Sequence, residues 1–204
     1  RFFHADLAAA INDEQTQFAP ILWLNAAGYV SNESGEVKRR ANQIQLIGID
    51  ESFWNHAMLK ANLPPTMEDG EALINPRLAA QLGLKAGDEF RLRIATPSVL
   101  PRDAPLSVAE DLTVRLTLTV ANVTDADSEL ANFSLRPGAV PPFNVFVPLE
   151  WLQKKAELDG RANVMLASGP TPTAELVQSA NAALKENWRL ADAELVLTET
   201  ATDG

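Results

Sequence analysis

The stretch LINPRLAAQLGLKAGDEF, residues 73–90, decides how this chain folds. Its first apolar residues, together with Ala72, read as the end of a strand. Asn75 then offers a side-chain oxygen to the free N–H groups of a helix start. Pro76 occupies the first helical position, where its fixed φ fits and its missing N–H costs nothing. Gly83 supplies the stop after Leu82. Leu84 to Asp88 reads as a turn, and a strand follows over residues 89–94.

Toward the C-terminus, Pro97, Pro101 and Pro105 make residues 96–111 an extended loop. A strand over residues 112–123 comes next. Leu112, Val114, Leu116, Leu118 and Val120 share one of its faces, and Thr or Arg fills the other. Asp125 to Glu129 reads as a polar turn, and Pro137-Gly138 and Pro141-Pro142 break regular structure. A buried strand is predicted over 143–147, a helix over 149–158 and a strand over 163–167. A helix over 173–188 has Thr173 as its cap and Leu176, Val177, Ala180 and Leu184 turned inward, and a last strand covers 193–197.

Toward the N-terminus, Phe3, Leu7, Ala10 and Ile11 have helical spacing and predict a helix over residues 2–12. Two strands, 20–24 and 26–30, lead through a turn at 32–35 to a third over 41–49, with Ile44, Leu46 and Ile49 inward. A helical turn capped by Asp50 or Ser52 follows, closed by Leu63-Pro64-Pro65. The fold class is α+β, with a β-rich middle, residues 66–162, inserted into an α/β unit made from residues 1–65 and 163–204.

Composition narrows the function. Of 204 residues, 46% are hydrophobic and 22% charged, enough to bury a core and not the balance of a disordered chain. A net charge of −10 argues against a nucleic-acid partner, which needs clustered Lys and Arg. The local basic run Lys38-Arg39-Arg40 reads as a solvated strand end. With no cysteine and two histidines, thiol catalysis, cysteine zinc sites and a His-rich metal site are all excluded. The chain opens on Arg1 and holds no apolar run of membrane-spanning length, so it reads as an excised piece whose membrane anchors lie outside it.

No common catalytic pattern is present. G-x-S-x-G, Walker A, G-x-G-x-x-G and H-E-x-x-H are all missing, and His4 and His56 read as surface or packing residues. Asp125-Ala-Asp127-Ser-Glu129 opens like a calcium loop, but Leu130 stands where Gly is needed and Arg136 where a bidentate Glu is needed. Glu68-Asp69 and Glu110-Asp111 lack the apolar setting that raises a carboxyl pKa. Trp23, Trp54, Trp151 and Trp188 are dispersed and read as packing residues. No catalytic residue, cofactor or metal is expected. Val140, Phe143 and Phe146 in the Pro-rich stretch, with Trp151 after it, make a candidate partner edge; a buried crossover is the alternative reading of that stretch.

Several of these segments carry a family pattern. NQIQLIGIDESFW (residues 42–54), the 73–90 stretch, and NFSLRPGAVPPFNVFVPLEWLQ (residues 132–153) resemble the extracytoplasmic core of FtsX/MacB-type ABC-transporter permeases. Arg161-Ala-Asn163 and Trp188-Arg-Leu-Ala-Asp192 are similar to it as well. The resemblance implies a porter-like βαβ-containing unit from both chain ends and an inserted β-rich, sabre-like unit. It also implies a place on the outer face of the bacterial inner membrane and a non-catalytic coupling role in efflux, lipoprotein release or cell-wall hydrolase activation. The implied partners are an ABC ATPase, the membrane helices of a parent permease, a second permease copy and a periplasmic protein. The alternative function is a module that captures a lipid, peptide or sugar between subdomains.

Overall fold

The computed structural model describes residues 2–12, 16–32, 34–54, 67–95, 113–135, 138, 140–169, 173–189 and 192. The Leu63-Pro64-Pro65 stop, His56, the 96–111 loop with Glu110-Asp111, Leu112, Arg136 and the 193–197 strand lie outside these residues.

The elements in chain order are β1 (Phe3–His4), α1 (Asp6–Ala10), β2 (Gln17–Ser31), β3 (Val37–Ile49), α2 (Glu51–Trp54), β4 (Glu71–Ile74) and α3 (Pro76–Leu82). Then come β5 (Glu89–Ala95), β6 (Thr113–Val123), a 3-10 turn (Glu129–Asn132), β7 (Phe143–Pro148) and α4 (Leu149–Lys155). β8 (Arg161–Ala162), β9 (Val164–Ser168) and α5 (Ala174–Asn187) complete the described set.

One mixed sheet runs β3-β7-β4-β6-β5-β2-β9, and β2 pairs β3 as well, so the first six strands close into a barrel. β3 and β7 are parallel, as are β4 and β6; the remaining barrel pairs are antiparallel. Residues 1–65 supply β2 and β3 to this ring, and residues 66–162 supply β4 to β7. β9 extends it from the N-terminal half of β2.

The two strands expected at 20–24 and 26–30 are a single long β2. Pro20 does not break it, because among the described residues Gln17 to Ile21 have a ladder partner on one side only, where a missing N–H is tolerated. A register shift between Ala26 and Gly28 bends the strand toward β5. Gly28 faces the interior there: a Cβ at this position would lie 2.6 Å from the tip of Ile44 and 3.0 Å from that of Leu92.

Period-two alternation sorts the strand residues between two cores. Leu22, Leu24, Ile44, Leu46, Phe90, Leu92, Leu116, Leu118, Val145 and Val147 fill the barrel, joined by Leu78 and Leu82 of α3 and Leu152 of α4. Ala19, Ile21, Ile47, Ile49, Leu73 and Phe146 point the other way, into a second core with Phe53 of α2 and Leu130 of the 3-10 turn. Ile49 therefore shares a face with Ile47, not with Ile44 and Leu46 as the sequence reading had it. Phe53 gathers the aromatic part of this core, with Trp54, Phe133 and Phe146 at ring-centre distances of 5.1, 5.7 and 6.1 Å.

A third, smaller core joins Leu7, Ala8 and Ile11 of the N-terminal segment, Phe18 of β2, and Ala180, Ala183 and Leu184 of α5. Val177, expected inward on α5, is 49% exposed. The N-terminal helix is shorter than predicted because Phe3 and His4 leave it to pair with Ala162 and Arg161 of β8. α4 stops at Lys155, three residues early, and Glu157 takes a left-handed φ of 58° in the turn that follows.

Candidate functional site

The motif that opens the sequence reading also builds the candidate partner edge. Asn75 caps α3 by accepting from the Leu78 N–H at 3.1 Å, and Gly83 closes the helix in the left-handed region at φ 69°. The Asn75 side chain is fully buried and does more than cap. Its oxygen also accepts from the Asn144 N–H at 3.2 Å, and its amide donates to the carbonyls of Ala131 and Pro142, both at 2.9 Å. One side chain thus ties α3 to the 3-10 turn and to the entry of β7. Asn144, also fully buried, reinforces this by donating to the Phe133 carbonyl at 2.7 Å.

The 140–143 segment is held on that hub. Arg77 donates to the Pro141 carbonyl and lies over the Phe143 ring, 4.6 Å from its centre. Val140 is 61% exposed, and Phe143 is half-buried against the barrel core. These two residues meet on one wall of an open groove of about 810 Å³, with Trp23, Gln45 and Arg77 among its other lining residues. Phe146 and Trp151 do not join them. Phe146 is fully buried in the second core and Trp151 is buried in the barrel core, so neither lies on the exposed edge expected of them. Phe146 is enclosed because β7 is covered on both sides, so its alternate residues enter two different cores, whereas Trp151 lies on the buried face of α4.

The groove also contains residues the sequence reading passed over. Gln43 has a left-handed φ of 58°, and Gln45 is buried with its side-chain oxygen lacking a hydrogen-bond partner among the described residues. Gln45 stands opposite Asn25 in β2 and Asn144 in β7, a polar row across an apolar wall. The sequence signal is a single polar residue, Gln45, inside an otherwise apolar run at 44–49. Of the four tryptophans, Trp188 is the one at the surface, 44% exposed, against the packing role expected of it.

A second constellation lies where the two ends of the described chain meet. The carboxylate of Asp192 is buried and accepts from the His4 backbone N–H at 2.7 Å and from the Arg189 N–H at 2.9 Å. The His4 ring Nδ1 is 2.6 Å from the same carboxylate, and Arg189 reaches Asp6 at 3.0 Å. Burial alone would raise the Asp192 pKa. The backbone N–H groups of His4 and Arg189 and the His4 side chain outweigh it and hold the carboxyl below its ordinary 3.8. Asn163 fastens the adjoining strand: its side chain exchanges two bonds of 2.8 Å with the backbone of Trp23.

The remaining sequence candidates are structural where described. Asp125 and Ser128 form a turn, and the Ser128 side chain caps the 3-10 helix. Glu68 and Asp69 are exposed in the turn before β4. Among the described residues no group of three or more His, Cys, Asp or Glu is placed to hold a metal ion. No helix among them is long and apolar enough to cross a membrane.

No protein-family model matches the chain, and no curated protein matches it. Among solved structures, it is similar to the periplasmic region of MacB from Actinobacillus actinomycetemcomitans. The likeness covers 90% of this chain and 73% of that one, with a TM-score of 0.54 and 10% sequence identity. The chain therefore has the α+β fold of a MacB periplasmic region.

Proposed function

We propose that the chain is the extracytoplasmic domain of an ABC-transporter permease, held on the outer face of a bacterial inner membrane and non-catalytic. It couples motion of the permease's membrane helices, driven by an ABC ATPase, to the handling of substrate or partner outside the cytoplasm. The observation that carries this reading is the fold likeness over nine-tenths of the chain. Its geometry supports the same role. The first and last described segments are fastened side by side by His4 with Asp192, and β1 pairs with β8, so displacement entering at either end reaches the barrel. In this reading residues 66–162 are the inserted sabre-like part, completing a barrel that the porter-like residues begin. A periplasmic partner or a second permease copy docks at Val140 and Phe143.

The test uses the absence of cysteine from this chain. In the parent protein, freed of any other cysteine, Val140→Cys is treated with a membrane-impermeant maleimide. Labelling of intact spheroplasts is expected. Labelling only after lysis would place the domain on the wrong side of the membrane and end the proposal.

The groove favours a second reading, a module that captures a small peptide, lipid or sugar. Its support is the buried oxygen of Gln45, without a hydrogen-bond partner among the described residues, in a groove of about 810 Å³. Native mass spectrometry of the gently purified chain would reveal a retained ligand, and a bare mass would remove this reading.

A further inference from the structure

On the outside of the barrel lies a second concavity, of about 490 Å³, with a chemistry opposite to that of the chain as a whole. Its lining includes Tyr29, Arg40, Asn42, Arg91, Arg93 and Arg115. Strand alternation puts them there. Leu92, Ile94 and Leu116 point into the core, so Arg91, Arg93 and Arg115 point out, and all four arginines are exposed. Arg93 stands directly opposite Arg115 in the β5–β6 ladder. Tyr29 stands opposite Arg40 in β3 and Arg91 in β5. Among the described residues none of the four guanidinium groups is in an ion pair or hydrogen bond. Glu89, on the same face of β5, lies beyond the groove lining.

Like charges placed directly opposite one another weaken a sheet. Four of the chain's 17 basic residues meet in one concavity, although the net charge is −10 and acidic residues number 27. Surface arginines in so acidic a chain would find carboxylates by chance; these four instead face each other around an open space. Guanidinium forks pair two-to-two with phosphate oxygens, and unlike lysine they stay charged at any working pH. Arg115 and Arg40 sit on the outer two of four adjacent strands, up to about 14 Å apart, which is wider than one phosphate.

We propose that this groove binds a ligand carrying two or more phosphate groups, whether a free oligophosphate or neighbouring phosphates of anionic lipid headgroups. Arg93 and Arg115 grip one phosphate, Arg40 and Arg91 the next, with the Tyr29 hydroxyl between them. The proposal is independent of the permease reading, since it needs only the barrel face.

The test uses the full chain in about 0.1 M salt, where exposed charges more than about 10 Å apart are already screened. Sodium tripolyphosphate is titrated by calorimetry, and vesicles of phosphatidylglycerol with phosphatidylcholine are compared with phosphatidylcholine alone in co-sedimentation. At least one anionic probe binds, raising the melting temperature with concentration. The double substitution R93Q/R115Q weakens that binding about tenfold or more. K154Q/K155Q, which removes the same charge from α4, leaves it unchanged. Tripolyphosphate binding alone assigns a free oligophosphate; vesicle binding alone assigns a headgroup. Relief of the Arg93–Arg115 opposition keeps the melting temperature of R93Q/R115Q at or above that of the parent chain. Should that variant fail to fold, R40Q/R91Q replaces it. The proposal is overturned if neither probe binds, if the two double variants weaken binding equally, or if polyglutamate of equal charge competes as well as tripolyphosphate.

Discussion

The Asn75 hub and the His4–Asp192 clamp are both built from one buried polar side chain with several bonds, yet they sit in opposite surroundings. Asn75 is fully buried, bonded to Leu78, Asn144 and the 3-10 turn. Asp192 is buried too, but its partners His4, Arg189 and Arg161 all keep access to solvent. The hub joins elements that the closed sheet already fixes. The clamp joins the first and last described segments, which among the described residues are otherwise tied by the exposed Arg189–Asp6 ion pair and the small third core. A polar group inside a packed wall acts on global stability, whereas the same group at a junction acts on local opening.

The largest effect should come from cutting the hub out of its setting. Residues 66–162 expressed alone keep Asn75 and all its partners, but lose β3 beside β7 and β2 beside β5. Two strand edges and half of the barrel interior would then be open to water. The fragment is expected to stay unfolded by circular dichroism and NMR dispersion. A folded fragment would mean that the hub's stability comes from within residues 66–162 and not from ring closure.

Next in size is Asn75→Ala. It removes the α3 cap and the side-chain bonds to the Ala131 and Pro142 carbonyls and the Asn144 N–H, at a cost of about 4 kcal/mol. Chemical denaturation should register this as one cooperative shift at every probe. At the clamp, Asp192→Asn should cost about 1–2 kcal/mol, seen as faster amide exchange at Ala5 and Arg161 while the barrel amides are unchanged. The clamp also has a pH signature. Because the native Asp192 pKa lies below the ordinary 3.8, its contribution is complete above that value and is lost as pH falls through the lowered native one. Acid should therefore open the ends only below pH 3.8, read from the Phe3 and Ala162 resonances, and Asp192→Asn should abolish that transition. If the barrel amides speed up together with the ends, the two regions are one cooperative unit and the contrast fails.

The same contrast explains what was legible in the sequence. The hub's frame is local: Asn75, Pro76 and Gly83 fall within nine residues, and each acts through backbone geometry close to itself. The alternation of 112–123 likewise gave β6 its inward face. The clamp is not local, since its partners lie 188 residues apart, and a histidine near one end carries no mark of an aspartate near the other. Phe146 was misplaced for a related reason. In a run such as FNVFVP, apolar on both faces, period two says that alternate residues part but not that each side is covered. That cover comes from Phe53 and Phe133, brought in by distant segments. Val140 is exposed because it lies in a proline-rich stretch outside the strands. The arginine groove arises from register: Arg93 and Arg115 become neighbours only when β5 and β6 pair.

Arg77 gives the smallest and most discriminating test, because it lies two residues from Asn75 in sequence yet is solvent-exposed, as the outer partners of the clamp are. It holds the Pro141 carbonyl and covers the Phe143 ring, both at the surface, where a cation over an aromatic ring contributes little. Arg77→Ala should therefore cost about 0.5 kcal/mol globally. Its effect should instead be confined to the 140–143 edge, as changed resonances at Val140 and Phe143 with those of Asn144 onward unmoved. Sequence position would predict a hub-like loss, and burial predicts a clamp-like one. If Arg77→Ala destabilises the whole chain as Asn75→Ala does, then the edge belongs to the wall. Val140 and Phe143 would then be fixed parts of the barrel, and not a surface free to adjust to a partner.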